Sequence, residues 1–253
     1  MAENRLLNRW RKLTDALRLS RRPQQSPMHA ALIAAAAQVA HDASPLVPGD
    51  QALSDESIVV YDLETSGLNT ATDSVLSIGA ATISKNAIPL GNVFEEILGA
   101  TADLNSESQL IHGLTLKDLA DGSPPRAALL RFLQYSTNRI WVAYHAEFDR
   151  VMLQKAIDHW LGVTFDPRPF DVAELAPMLF PDKGPAYGPL DHWLQVFGLT
   201  PRERHNALGD AMITAELMLI MLDRACQLGY RTWGELNEAC HAWRQVQRHL
   251  PNL

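Results

Sequence analysis

Ile58-Val59-Val60-Tyr61-Asp62-Leu63-Glu64-Thr65-Ser66-Gly67 decides how the rest of the chain is read. The β-branched and aromatic run from Ile58 to Tyr61 has the pattern of a buried strand, and that strand ends in acid. Side chains alternate along a strand, so Asp62 and Glu64 share a face. Two carboxylates side by side at neutral pH repel each other unless a cation lies between them. Oxygen ligands suit a hard divalent ion such as Mg²⁺ or Mn²⁺. Thr65-Ser66-Gly67 then turns the chain, and Gly67 can take a positive φ and admit another group close to the backbone. Taken alone, the Asp-x-Glu pattern favours a strand ending in a solvated acidic turn. The acids further along the chain reverse that balance.

The 253 residues are 47% hydrophobic and 20% charged, which suits a globular chain with one large domain and some additions. No apolar run approaches the ~20 residues of a membrane span, so no transmembrane segment is expected. The N-terminus lacks the apolar core and small-residue cleavage site of a secretion signal, and a cytoplasmic location is expected. Cys226 and Cys240 fit reduced thiols. A formal charge of −7 argues against coating long nucleic acid through a broad basic face, but not against gripping one strand end.

Charge is unevenly spread. Residues 1–22 carry seven basic side chains against Glu3 and Asp15, with Leu6, Trp10, Leu13 and Leu17 at helical spacing. This predicts a basic amphipathic helix suited to docking a protein partner, with nucleic acid or an anionic membrane as other surfaces it fits. Met28 to Ala43 reads as a second, alanine-rich helix, and Ser44 to Ser57 as a linker. From Ser57 the pattern is α/β. Strands are expected over Ile58–Tyr61, Val75–Ser84, Ile88–Leu98, Ile140–Tyr144 and Phe170–Val172, with a turn at Lys85-Asn86-Ala87. Helices are expected from Pro124 to about Ser136 with Ser123 as N-cap, and over Ala146–Leu161, Ala173–Leu179, Leu190–Phe197, Ala207–Leu228 and Trp233–His249. Phe180 to Pro189 reads as a loop bordering a groove. The division that follows is 1–56 as a helical extension and linker, 57–228 as the main domain, and 229–253 as a C-terminal helical extension.

Two of these helices each carry an acid on the apolar face. From Asp149 the helical offsets lead to Met152, Leu153, Ala156 and Trp160; from Asp210 they lead to Ile213, Thr214, Leu217 and Met221. An ionised carboxylate there is costly unless paired or metal-bound. A helix-dipole interaction explains one such acid more comfortably than both. Glu147 lies off the stripe and reads as solvated.

In order and kind, Asp62-Leu63-Glu64-Thr65-Ser66-Gly67, Phe148-Asp149 and His205-Asn206-Ala207-Leu208-Gly209-Asp210 resemble the three motifs of the DEDDh 3′–5′ exonuclease family, which includes the proofreading subunit of the bacterial replicative polymerase. Ile111-His112-Gly113-Leu114-Thr115 and Leu190-Asp191-His192-Trp193-Leu194 are similar to stretches between those motifs. The resemblance covers about Ser57 to Leu228, and each motif gains its weight from the set. One departure stands out: the family shows His-Asn ahead of the second motif, where this chain has Tyr144-His145.

The resemblance implies a ribonuclease-H-like mixed β-sheet flanked by helices, with the N- and C-terminal helices as additions. It implies hydrolysis of phosphodiester bonds at the 3′ end of DNA, single-stranded or frayed, releasing nucleoside 5′-monophosphates. Two divalent ions, Mg²⁺ or Mn²⁺, are implied on Asp62, Glu64, Asp149 and Asp210, with His205 as general base. The backbone of Thr65, Ser66 and Gly67 is then expected to grip the terminal nucleotide. Leu68 is expected to wedge against its base and His112 to meet its sugar or base. His145 and Phe148 complete the expected substrate contacts, and ordinary packing is the competing account of Leu68 and His112. A polymerase or another protein is the partner expected on the basic N-terminal helix. Trimming of RNA or oligoribonucleotides, and an adaptor role with secondary nuclease activity, are the alternatives.

Overall fold

The computed structural model describes residues 27–99, 113–202 and 204–249. His112 and the expected basic helix of residues 1–22 lie outside them. Two compact units are distinguished, Met1–Ala35 and Ala36–Leu253. Helix α1 (Pro27–Asp42) begins in the first, and all else described below belongs to the second.

Strands β1 (Ile58–Thr65), β2 (Val75–Ile83), β3 (Val93–Ile97), β4 (Ile140–Ala143) and β5 (Phe170–Asp171) form one sheet in the order β3-β2-β1-β4-β5. β1 pairs antiparallel with β2 and parallel with β4; β3 joins antiparallel and β5 parallel. The mixed sheet is helix-covered on both faces, which is why β1 reads as a near-continuous apolar run rather than an alternating one. Its odd residues face one layer: the Tyr61 ring lies 5.9 Å from Phe132 and 5.3 Å from Trp141, Phe132 coming from helix α3 (Pro125–Tyr135). Its even residues face the other. There Ile58 and Val60 share a buried core with Leu217, Met218 and Met221 of α7 (Ala207–Gln227) and with Leu175 and Leu179 of α5 (Val172–Leu179).

The remaining helices are α2 (Leu116–Asp121), α4 (Ala146–Leu161), α6 (Leu190–Phe197) and α8 (Trp233–His249). The ranges of α4, α6 and α8 agree with their sequence patterns. α2 escaped the sequence reading because it is only six residues long; its signal is the capping box between Thr115 and Asp118. α3 starts one residue later than expected, with Pro124 as N-cap. Ser123 instead gives its N–H to Ile97 and accepts Arg131 Nη2 on its hydroxyl at 3.0 Å. β3 is shorter than expected because residues 89–92 form a turn, Asn92 N–H reaching Pro89 O at 2.8 Å. The Lys85-Asn86 turn is present, both residues taking positive φ.

The segment after α1 has a linker's composition but is held along its length. Leu46 N–H donates to Arg139 O, Leu53 N–H to Arg231 O, Trp233 N–H to Gln51 O and Gly234 N–H to Gly49 O. Leu53 is buried, as are Trp233, Leu236 and Cys240 of α8, all within the core that β1 anchors. Trp160, expected on the apolar face of α4, stands 37% exposed, whereas Ile157 and Leu161 of the same last turn are fully buried. No helix among the described residues is long and apolar enough to cross a membrane.

Candidate active site

Asp62 and Glu64 lie two residues apart on β1 and so share the face that meets α7. In the sheet register Asp62 is opposite Gly79 and Glu64 opposite Ser77. Gly79 is what lets α7 come close. A Cβ built there would lie 2.1 Å from both Ala207 C and Leu208 N, so the helix backbone rests directly on the strand. One turn into α7, Asp210 is then delivered beside β1. Carboxylate oxygens of Asp62, Glu64 and Asp210 all lie within 4.8 Å of one another.

Asp149 approaches β1 from α4. β4 pairs with β1 only as far as Val60↔Val142 and ends at Ala143. Beyond that point Asp149 comes beside the backbone N–H groups of Leu63 and of its own residue, which oppose the rise in pKa that burial causes. Both inward acids expected on helices are therefore buried, Asp149 at 5% and Asp210 at 7% exposure. Burial pushes Asp62 well above the usual carboxylate range, reinforced by Asp149, Asp210 and Glu64 and opposed by Arg204. Burial and then Asp210 push Glu64 up to about 7. Asp149 is raised too, by burial and then by Asp171.

Arg204 is the cation that the sequence reading missed. Its guanidinium pairs with Asp210 Oδ1 and, 2.9 Å away, with Asp191 of α6. The available signal was an arginine six residues ahead of an inward acid. His205 follows with φ 59°, a left-handed conformation, and its N–H donates to Asp210 Oδ2 at 3.1 Å while its ring is exposed. Asn206 caps α7 by accepting Gly209 N–H at 2.9 Å.

The turn after β1 forms the other wall. Thr65 Oγ1 donates to Gly67 O at 2.8 Å, and Ser66 Oγ accepts Ser74 N–H at 3.0 Å. Gly67 does not take a positive φ; its missing side chain makes room for Asp73, whose Oδ2 would lie 2.5 Å from a Cβ there. Lys155 of α4 clamps this turn through the carbonyls of Thr70, Ala71 and Asp73 at 2.7 to 3.1 Å, a second contribution that no motif signalled. Leu68 at the tip is 86% exposed, and Phe148 is half-buried at the start of α4. His145 caps that helix in the left-handed conformation, with its N–H on Asp171 Oδ1 at 2.9 Å. Its neighbour Tyr144 donates its hydroxyl to Gly188 O at 2.5 Å, tying down the expected loop of residues 180–189. That bond gives Tyr144 a structural role at the position where the resemblance breaks.

The donor group is three carboxylates, Asp62, Glu64 and Asp210, with no nitrogen or sulfur among them, and Asp149 nearby; repulsion within this set adds to burial in raising Asp62, Glu64 and Asp149. It fits a hard divalent cation in both charge and ligand type. Chemically, such a group can gather positive charge beside a phosphate and a water.

Comparison with known proteins agrees with this geometry. DNA polymerase III PolC-type of Caldanaerobacter subterraneus is 29% identical over 197 residues, 78% of this chain but 14% of that protein. A DNA polymerase III subunit epsilon-like protein of Rhodobacter capsulatus is 31% identical over 182 residues, 70% of this chain and 25% of that protein. The match thus spans a minor part of the curated relatives. Among solved structures, Exonuclease X in complex with 5′ overhanging duplex DNA has a TM-score of 0.53 at 21% identity, covering 66% of this chain and 91% of that one. Exonuclease I of E. coli in complex with a dT13 oligonucleotide has a TM-score of 0.57 at 17% identity, covering 69% and 42%. These likenesses show the ribonuclease-H-like fold. The family model described as Exonuclease, RNase_T, matches residues 59–218, more than half the chain and all four inward acids, and this chain belongs to that exonuclease family.

Proposed function

We propose that the chain is a metal-dependent 3′–5′ exonuclease that removes nucleoside 5′-monophosphates from the 3′ end of single-stranded or frayed DNA. The observation that carries this reading is the meeting of Asp62, Glu64 and Asp210 within 4.8 Å, with Asp149 entering from the opposite helix layer. Asp62, Glu64, Asp149 and Asp210 would hold two divalent ions, Mg²⁺ or Mn²⁺. Bound there, the ions supply charge relief to the phosphate and lower the cost of ionising a water.

The chain's own residues do the rest. His205, exposed at the rim with its backbone fixed on Asp210, accepts the proton of the water that attacks phosphorus; the P–O3′ bond breaks and the leaving oxygen is reprotonated from solvent. Arg204 neutralises Asp210 before any ion is taken up and retains Asp191 as a second anchor when it lets go. Thr65, Ser66 and Gly67 present backbone to the terminal nucleotide from a turn that Lys155 holds rigid. Leu68, exposed at the tip of that turn, would wedge against the terminal base, and Phe148 and His145 would add contacts from the start of α4. Residues 57–228 carry the catalytic residues in this proposal, and a polymerase or other protein is the partner of the basic N-terminal segment.

The experiment is cleavage of single-stranded DNA, duplex DNA and RNA, each labelled at the 3′ or the 5′ end, with Mg²⁺, Mn²⁺ or EDTA. Release of labelled mononucleotide from 3′-labelled DNA, abolished by EDTA, is expected. Preference for RNA would move the substrate class, and no cleavage with either ion would overturn the reading.

A further inference from the structure

Apart from the acid cluster, a cavity of roughly 770 Å³ opens at the edge of the sheet beside β5, where α8 lies across the start of α4. This is within the size range of ligand clefts. It opens beyond the carboxyl ends of β4 and β5, the end of the sheet at which Asp149 also enters. One wall is α8. Asn237, His241, Arg244 and Arg248 follow at spacings of four, three and four, so they form a single stripe, and all four line the cavity. Trp233, Leu236 and Cys240, on the neighbouring stripe, are buried in the core. The helix thus has one apolar and one cationic side, both turned toward the domain, and it lies beyond the family match at residue 218.

The charges lining the cavity divide in a telling way. Each carboxylate is already engaged. Glu147 and Asp166 are both taken by Arg150, and Glu174 by Arg244 at 2.6 Å. Asp171 accepts the N–H groups of His145 and Ala173. Arg168 and Arg248 are exposed and belong to no ion pair among the described residues. Two guanidinium groups without carboxylate partners face a cleft whose floor is the N-terminus of a 16-residue helix. That combination selects phosphate, because the two guanidinium forks bind its oxygens bidentately. Asp171 connects the cavity wall to His145, two residues before Glu147 and four before Asp149.

We infer that the cleft between α8 and the start of α4 binds backbone phosphates of the nucleic-acid strand whose 3′ end lies in the acid cluster, with Arg168 and Arg248 as the contacting side chains. The inference rests on the proposed exonuclease reading and adds to it a track for the strand upstream of the scissile bond. A free nucleoside monophosphate carries the same chemistry and is the competing source of phosphate.

The test uses the full chain with Arg168→Gln/Arg248→Gln, two exposed positions whose change leaves the core untouched. KM for a labelled dT12 strand should rise about tenfold. The slope of log affinity against log salt should fall by about 1.4, roughly 0.7 for each lost contact on single strands. Hydrolysis of p-nitrophenyl thymidine 5′-monophosphate, which has no upstream phosphates, should not change. Arg168→Lys/Arg248→Lys should restore the salt slope, since the charge returns. Unchanged KM and slope on dT12 would overturn the inference, as would an equal loss on the small ester. A fall in thymidine 5′-monophosphate affinity with dT12 unaffected would overturn it too, in favour of the free nucleotide. If wild type cleaves nothing, the exonuclease reading fails instead, and fluorescence anisotropy of labelled dT12 with wild type and variant still decides the track.

Discussion

Asp149 and Asp210 present the same anomaly, an acid on the buried face of a helix near its first turn, and the protein holds them differently. Asp149 lies among backbone donors, the Leu63 N–H of β1 and its own, which lower its pKa against burial. Asp210 is held by a side chain, Arg204, together with the His205 N–H. Backbone donors belong to the sheet and the helix and stay where they are. A guanidinium on a flexible stem can leave, and Asp191 gives it somewhere to remain. On the proposed reading, one side of the acid cluster stays fixed while the other exchanges a protein cation for a bound one.

The largest effect tests whether both sides serve one centre. Asp210→Ala and Asp62→Ala should each lower turnover by several orders of magnitude without unfolding the protein, because each removes a ligand while relieving repulsion. Near-normal turnover in either purified variant would break the comparison at its root. His205 comes next. Its left-handed backbone makes Asn a better probe than Ala, since Asn tolerates that conformation. His205→Asn should cost roughly 10²–10⁴-fold and abolish the acidic limb of the pH–rate profile, measured in single turnovers at saturating Mn²⁺. A retained limb would assign the base elsewhere.

Gly79→Ala addresses the Asp210 side alone. The added methyl would meet the backbone of Ala207 and Leu208, which has no side chain to swing away. We expect about 1–3 kcal/mol of destabilisation by urea titration. A rate loss of about 10² should accompany it, as Asp210 moves away from Asp62. Wild-type stability with wild-type rate would show that α7 is free to shift. Arg204→Gln should act more gently and in opposite senses on two readouts. Mn²⁺ affinity by calorimetry should rise about tenfold as a competing charge is lost, while the melting temperature in EDTA should fall. If both readouts move together, Arg204 is a plain structural pair and the exchange account is wrong.

The smallest expected effect is the pH dependence of the metal-free protein. Glu64 is raised from 4.5 to about 7, with Asp62 and Asp149 raised in the same direction. Between those two values folded Glu64 keeps a proton that the unfolded chain has released. Its contribution to stability therefore falls as pH rises from about 4.5 to 7. Melting in EDTA should show this decline, and added Mg²⁺ should stabilise most at the upper end. A rise in metal-free stability across that window would mean that Arg204 already balances the cluster.

Much of this was present in the linear pattern. The apolar run into Asp62, the two inward acids and the helix ranges of α4, α6 and α8 follow from periods of 2 and 3.6 residues, which depend on neighbours close in the chain. So does the motif set that resembles the exonuclease family. The same locality explains the errors. α2 was too short to show a period, and the held segment at Leu46–Leu53 has loop composition because its partners are backbone groups nearly a hundred to two hundred residues away.

What only the tertiary structure decided are the contacts that cross such distances. Gly79 is an unremarkable strand residue until α7 lands on it. Lys155 is a surface lysine of α4 until the turn after β1 folds beneath it. Arg204 lies six residues from Asp210 in the chain, but its pairing with Asp191 requires α6 and α7 to pack. Sequence period states which face of an element is apolar. Which other element arrives on that face, and what charge it brings, is determined by how the whole sheet and its helices share one core.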